Sequence, residues 1–228
     1  RYLYLGDKLS QAMEDYMATI RPGMTEYEFA GGISKEIWRY GIEQVMHLVS
    51  FDERANRYRH GLPTEKKLEH NVIVSINGRY KGLIATTSRM AYIGDPSPAF
   101  LKQYADCCEM ECLTASKARP GVDELTLYET LQQAYLDRGY PGMFDRHGQG
   151  GCQGYWPREY MVTPTSHHAI QEHQAYCFNP VVDGTKTEDS FIVTAQGPMM
   201  ITRPISFPKL TYTFDGIQFE RPGLLVLD

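Results

Sequence analysis

The segment Arg21-Pro22-Gly23-Met24-Thr25-Glu26 ends one predicted helix and begins the next. Its opening tripeptide returns 98 residues later as Arg119-Pro120-Gly121. Proline removes a backbone donor and glycine tolerates positive φ, so the pair stops a helix. Thr25 then begins a Thr-x-x-Glu capping box with Glu28, which predicts the start of a second helix. A helix stop followed by a helix start, found twice, predicts a duplicated fold.

The two copies agree at several further positions. Each carries large side chains at helical spacing and ends on a glycine, with Phe29, Ile33, Ile37 and Gly41 in the first and Leu127, Leu131, Tyr135 and Gly139 in the second. The copies cover about residues 7–97 and 98–202, and residues 203–228 add closing strands and a tail. A single half would leave its sheet face exposed. We therefore expect one α+β domain over residues 1–228, with two pseudo-symmetric helix-helix-strand-hairpin halves around a curved antiparallel sheet.

Apolar periodicity and turn residues predict the individual elements. Helices are predicted at 7–20, 25–41, 100–117 and 123–138, and strands at 44–51, 71–76, 80–93, 175–182, 190–194, 210–214 and 224–227. Asn77-Gly78 is a typical hairpin dipeptide and predicts the turn between the second and third strands.

Composition and charge exclude several classes of function. The formal net charge is -5 and no basic patch is present, so we expect no nucleic-acid partner. No apolar run is long enough to predict a membrane span. The 5 cysteines fit no zinc motif, which favours reduced thiols in a cytoplasmic protein. The chain opens on Arg1 within an element, from which we expect a preceding N-terminal domain and a homodimer.

A glycine-rich loop at 144–159, FDRHGQGGCQGYWPRE, concentrates chemistry-bearing residues. It contains His147, four glycines that permit close backbone approach, the aromatic pair Tyr155-Trp156 and the pair Arg158-Glu159. Two interpretations stay open from the residues alone. The loop holds a functional histidine, or it is a tight turn whose histidine caps backbone.

A set of short motifs, in order, resembles a known family. They are Arg21 to Glu26, Arg59-His60-Gly61-Leu62-Pro63-Thr64, Ser88-Arg89, Gly94-Asp95-Pro96-Ser97, His147-Gly148-Gln149-Gly150, Asn179-Pro180 and Glu188 to Thr194. Over nearly its whole length the chain resembles the pita-bread domain shared by prolidases, Xaa-Pro aminopeptidases, methionine aminopeptidases and creatinase. The resemblance implies the duplicated pita-bread fold and a hydrolase-type site.

The resemblance also implies where a metal centre would lie. Peptidases of this kind hold two divalent ions with two Asp, one His and two Glu, whose negative charge offsets the metals. In this chain the first Asp falls near Ser75 to Asn77, the second at Thr86 and the first Glu at Asn179. The His matches His147 and the second Glu matches Glu188. Between His70 and Gly94 there is no Asp or Glu. The comparison predicts a degenerate metal site without a dinuclear cluster, while a single ion on His147 and Glu188 stays open.

Creatinase provides a template that needs no metal. It resembles the peptidases in fold but uses a histidine as general acid and base, and His60 falls at the family's pocket histidine. Arg158-Glu159 follows His147 at the spacing of a similar pair in creatinase. The glutamate that creatinase has on the second hairpin strand is missing, because Thr86 and its neighbours offer only hydroxyls.

Three hypotheses follow for the function. In the first, the protein is a metal-independent hydrolase of a C–N bond in a small substrate, without a cofactor. His60 would then act as acid and base, His147 would polarise the substrate, and Glu188 and Glu159 would orient it, unless Lys186 engages Glu188 in an ion pair. Other substrate contacts would come from Tyr155, Trp156, Arg158 and Asn179. In the second, the cleft binds a small molecule or short peptide without catalysis. In the third, the protein is an Xaa-Pro metallopeptidase with an atypical site.

Overall fold

Five α-helices and thirteen β-strands make up the computed structural model, which describes residues 1–228. The helices are α1 (Tyr2–Met17), α2 (Glu26–Trp38), α3 (Glu53–Arg57), α4 (Pro98–Ser116) and α5 (Leu125–Asp137), and one 3-10 turn covers Phe144–Arg146. The strands are β1 (Glu43–Phe51), β2 (Asn71–Tyr80), β3 (Leu83–Ile93), β4 (Gly150–Gln153), β5 (Tyr160–Met161), β6 (Ala175–Phe178), β7 (Val181–Val182), β8 (Thr185–Lys186), β9 (Asp189–Thr194), β10 (Gly197–Met200), β11 (Lys209–Phe214), β12 (Ile217–Pro222) and β13 (Leu225–Leu227). None of the helices is both long and apolar enough to cross a bilayer.

One curled sheet runs through both halves of the chain. Its strand order is β1-β2-β3-β9-β6-β4-β5, with antiparallel neighbours, and β10 and β13 pair with β9 and β3. The first half packs α1 and α2 against β1–β3 in a core cluster of 21 buried residues. The second half packs α4 and α5 against β4, β6 and β9 in a cluster of 19. The predicted α+β pita-bread architecture is therefore confirmed.

The helix boundaries at the two Arg-Pro-Gly sites follow the sequence pattern. Gly23 and Gly121 have φ of +81° and +87°, values that glycine adopts without steric cost. The capping box is complete, since Thr25 Oγ1 accepts from the Glu28 amide and Glu28 Oε2 accepts from the Thr25 amide. The first helix differs from its prediction, because α1 begins at Tyr2 and ends at Met17.

The hairpin turn lies elsewhere than predicted. Asn77 and Gly78 belong to β2, where they pair with Thr86 and Ala85 of β3. The turn is formed by Lys81-Gly82, with φ of +49° and +90°. Two consecutive positive φ values match the right-handed twist of the flanking strands, which is why this dipeptide makes the two-residue turn. The prediction at Asn77-Gly78 was wrong by four residues.

A buried ionic cluster connects the two halves behind the site. Arg89 of β3 is 0% exposed and bonds Glu14 of α1 (2.9 Å) and Asp189 of β9 (3.0 Å). Arg221 of β12, also 0% exposed, bonds Asp189 and Glu111 of α4, both at 2.5 Å. Since a buried charge without a partner is costly, this cluster holds β9 firmly against β3. It thereby positions Glu188, which immediately precedes β9.

Candidate functional site

A cavity of about 680 Å³ lies where β1, the glycine-rich loop and the chain around β8 meet. Small-molecule sites typically have roughly 300–1,000 Å³. The lining combines apolar and polar side chains with only three charged groups, and consists of Val45, Met46, Leu48, His60, Asn77, Gly148, Trp156, Pro157, Arg158, Met161, Asn179, Lys186 and Glu188. The structure thus brings five of the eight predicted site residues to one cavity, namely His60, Trp156, Arg158, Asn179 and Glu188.

Two cations hold the carboxylate of Glu188. Lys186 Nζ lies 2.8 Å from Glu188 Oε2, and Arg158 Nη2 lies 3.0 Å from Glu188 Oε1. The Glu188 side chain is 3% exposed. Burial favours the protonated carboxyl, but Lys186 and Arg158 outweigh it and lower the pKa of Glu188 to about 2. Glu188 is therefore a carboxylate at neutral pH, with both oxygens bonded to side chains of the same chain.

Two serines close a ring of hydrogen bonds around this pair. Lys186 Nζ donates to Ser75 Oγ (2.8 Å), and the Ser75 and Ser88 hydroxyls lie 2.7 Å apart. Ser88 Oγ in turn donates to Glu188 Oε2 (3.1 Å). Ser75 and Ser88 are each 2% exposed. The ring satisfies these buried polar groups internally.

Thr86 and Asn179 are also bonded within the chain. Thr86 Oγ1, fully buried, accepts from Gln153 Nε2 at 2.6 Å. Asn179, with its amide turned to satisfy its hydrogen bonds, donates to the carbonyl oxygens of Gly148 (3.2 Å) and Gln149 (2.6 Å). Asn179 lines the cavity but Thr86 does not.

His60 lines the cavity and is exposed. Partial burial and the nearby Lys186 ammonium lower the pKa of His60, while Glu188 opposes that shift. The imidazole is therefore neutral at pH 7 and able to accept a proton.

His147 lies at a neighbouring cavity of about 310 Å³, which shares Gly148 and Met161 with the first. Its Nδ1 is 3.0 Å from the Gly148 carbonyl oxygen, so Nδ1 carries the proton. Nε2 is buried and has no hydrogen-bond partner. Burial, with the positive charges of Lys186 and Arg59, lowers the pKa of His147 to about 4. The structure does not bring His147 into the lining shared by His60 and Glu188.

The loop residues Tyr155, Trp156 and Glu159 do not all line the cavity. Glu159 Oε1 accepts from the backbone amides of Tyr155 (2.6 Å) and Trp156 (3.3 Å), outside the cavity lining. Tyr155 is 69% exposed and lies against the turn at Gly82. Of the three, only Trp156 lines the cavity.

Sequence reasoning missed several groups in the lining. It treated Lys186 only as an ion-pair partner, it named Asn77 only within the range of a lost metal ligand, and it did not identify the apolar wall from β1. A usable signal was present for Lys186, because residues two apart in extended chain project to the same side.

No group of three or more His, Cys, Asp or Glu side chains lies close enough together to hold a metal ion.

Comparison with known proteins gives one family and many similar folds. The family model described as metallopeptidase family M24 matches residues 4–220. Among curated protein sequences, none matches the chain.

Three solved structures illustrate the similarity of fold. Dipeptidase PepE from Mycobacterium ulcerans has a TM-score of 0.83 and 22% identity over 99% of this chain. X-Pro aminopeptidase from Thermotoga maritima MSB8 has a TM-score of 0.83 and 19% identity over 99% of this chain. Xaa-Pro dipeptidase from Bacillus anthracis has a TM-score of 0.82 and 20% identity, also over 99% of this chain. The chain spans 58%, 61% and 61% of the length of these proteins.

Proposed function

Because the chain belongs to metallopeptidase family M24, we propose that it keeps the family's fold and cleft but binds a small molecule or short peptide there without a metal centre. One observation carries this proposal. Lys186 Nζ lies 2.8 Å from the Glu188 carboxylate, which is the acidic group that the family resemblance assigns to the metals. An ammonium group therefore already neutralises the carboxylate that the resemblance assigns to a metal ion.

The donor chemistry at the other four positions supports the same proposal. The first Asp position lies within Ser75 to Asn77, and the other three hold the hydroxyl of Thr86, the amide of Asn179 and the imidazole of His147. Hydroxyls and an amide bring no negative charge to offset two divalent ions. Ser75, Thr86 and Asn179 are bonded within the chain, and His147 lies at the other cavity. The residues present do not fit a dinuclear metal centre.

The test is ligand binding in the presence of chelator. Short peptides, Xaa-Pro dipeptides and small amides are screened against the chain in EDTA by ligand-observed NMR and by thermal shift. We expect ligands to bind and to raise the melting temperature of the chain in EDTA. Ligands that compete with one another should share one site, in the cavity around His60 and Trp156. Binding or Xaa-Pro hydrolysis that appears only after Mn²⁺, Co²⁺ or Zn²⁺ is added would contradict the proposal and favour a metallopeptidase.

A second candidate is a metal-independent hydrolase of a C–N bond, and the position of His60 favours it. His60 is neutral at pH 7, lines the cavity and lies near the Lys186–Glu188 pair, so its imidazole can take a proton from water or from the substrate. We expect turnover in EDTA that His60→Gln removes while ligand affinity stays within a fewfold of wild type. If the same compounds bind but are not turned over, the protein is a binding protein and not a hydrolase.

A further inference from the structure

The three charged groups of the cavity give it a positive balance. Lys186 and Arg158 carry two positive charges against the single negative charge of Glu188, and no other charged residue lines the cavity. This is the reverse of a metal centre, where carboxylates outnumber other charges. A cavity with excess positive charge attracts an anion.

Hydrogen-bond donors remain free on both cations. Lys186 has three N–H donors and uses two of them, on Ser75 Oγ and Glu188 Oε2. Arg158 has five and uses one on the Pro157 carbonyl oxygen and one on Glu188 Oε1. Both side chains line the cavity, so the unused donors are available to a ligand.

A buried polar group without a partner lies in the same lining. Asn77 is 2% exposed, and its Oδ1 atom has no hydrogen-bond partner in the chain. Burying an amide oxygen without a hydrogen bond costs free energy, which a ligand with a donor group would recover. The cavity therefore offers donors for an anion and an acceptor for a second polar group.

The remaining wall selects for an apolar body. Its side chains are aliphatic, sulfur-containing or aromatic, and consist of Val45, Met46, Leu48, Trp156 and Met161. A ligand that fills about 680 Å³ beside this wall would bury an apolar group while its anionic end reaches the cations.

We propose that Lys186 takes the place of a metal as the fixed cation of the cavity and, together with Arg158, binds the carboxylate of a small organic acid with an apolar side group. Planar carboxylates suit the fork of a guanidinium group, and the ammonium group adds a point charge on the same side. This inference rests on the proposed metal-independent cleft and names the class of its ligand.

The experiment measures binding of 3-phenylpropionate in EDTA by calorimetry or by saturation-transfer NMR. Its neutral analogue 3-phenylpropionamide is the matched probe. We expect the acid to bind at least tenfold more tightly than the amide. Lys186→Met and Arg158→Gln should each reduce the affinity for the acid at least tenfold while leaving the weak affinity for the amide unchanged. Lys209→Met, an exposed lysine on β11, is the control and should bind like wild type.

Each other outcome overturns a specific part of this account. Equal affinity for the acid and the amide, or wild-type affinity in folded Lys186→Met and Arg158→Gln variants, overturns the carboxylate site but leaves metal-independent binding intact. Tighter binding of phenyl phosphate than of the acid overturns the carboxylate as the ligand class. Acid binding that needs an added divalent metal overturns the proposed function itself. If Lys186→Met does not fold, the affinity of Arg158→Gln for the acid decides between these outcomes.

Discussion

Lys186 and Glu188 lie two residues apart and form a buried ion pair of 2.8 Å, with side chains 7% and 3% exposed. Breaking a buried pair by removing one partner leaves an uncompensated charge and costs about 3–5 kcal/mol. The pair is therefore a structural element of this cleft as well as its main electrostatic feature.

Glu188→Gln tests that statement. We expect the free energy of unfolding to fall by about 3 kcal/mol, because Lys186 and Arg158 lose their shared counter-charge. Urea denaturation of the metal-free chain measures it. Glu220→Gln is the control, since Glu220 forms an exposed ion pair with Lys209 across the hairpin β11–β12 and a surface pair contributes about 0–1 kcal/mol. If Glu188 were instead a ligand in an acidic metal site, its neutralisation would leave the metal-free chain equally or more stable.

His47 of β1 predicts a pH dependence of stability. Burial lowers the pKa of His47 to about 4 from its ordinary value near 6.5, so the folded chain keeps the imidazole neutral. Between these two pH values the unfolded chain binds a proton that the folded chain does not, and stability falls as the pH falls. From pH 7 to pH 5 the loss is on the order of 2 kcal/mol for this group. In urea denaturation, His47→Gln should lose correspondingly less stability than wild type over that range, and an unchanged slope would show that His47 does not titrate in this way.

Glu159 is expected to act on loop structure. Its carboxylate accepts two backbone amides next to Trp156, so Glu159→Ala should cost about 1–3 kcal/mol and shift the fluorescence of Trp156. Exposed Glu129 of α5 provides the control substitution to alanine. A variant with wild-type stability and Trp156 emission but lost turnover would show that Glu159 acts on the substrate instead.

Gly150 explains why the loop needs glycine at the start of β4. Its φ is +144°, and a Cβ there would lie 2.3 Å from the Cys177 carbonyl oxygen on β6. Gly150→Ala should therefore destabilise the fold by several kcal/mol, in the range of strongly disruptive substitutions. Gly31 of α2 has no atom within 4 Å of a Cβ, and Gly31→Ala should stabilise by about 0.4–1 kcal/mol. Thermal unfolding compares the two, and equal effects would contradict the packing account.

The fold could be predicted because its signals are local and repeated. Arg-Pro-Gly stops, a capping box and apolar periodicity each specify one helix end or face, and each half of the chain begins with two helices, α1 and α2 or α4 and α5. The turn at Lys81-Gly82 was missed because lysine at positive φ has no strong sequence signal, whereas Asn77-Gly78 has one and lies inside a strand.

The site was only partly predictable. His60, Arg158 and Glu188 share a cavity, as their motif positions suggested. Motif order does not encode the direction of a loop side chain. It therefore could not predict that Glu159 and Tyr155 lie outside the cavity lining. The ion pair of Lys186 with Glu188 had a local sequence signal, but the hydrogen bond of Lys186 to Ser75, 111 residues away in sequence, needed the structure. A homodimer and a cytoplasmic location stay predictions.

The most direct test of the metal-independent cleft is calorimetric titration of the chain, purified without chelator, with Mn²⁺, Co²⁺ and Zn²⁺, beside a measurement of its metal content. The account predicts no stoichiometric metal on the purified chain and no saturable uptake at micromolar concentrations. One or two ions bound per chain at micromolar concentration, and lost in both His147→Ala and Glu188→Gln, would contradict it.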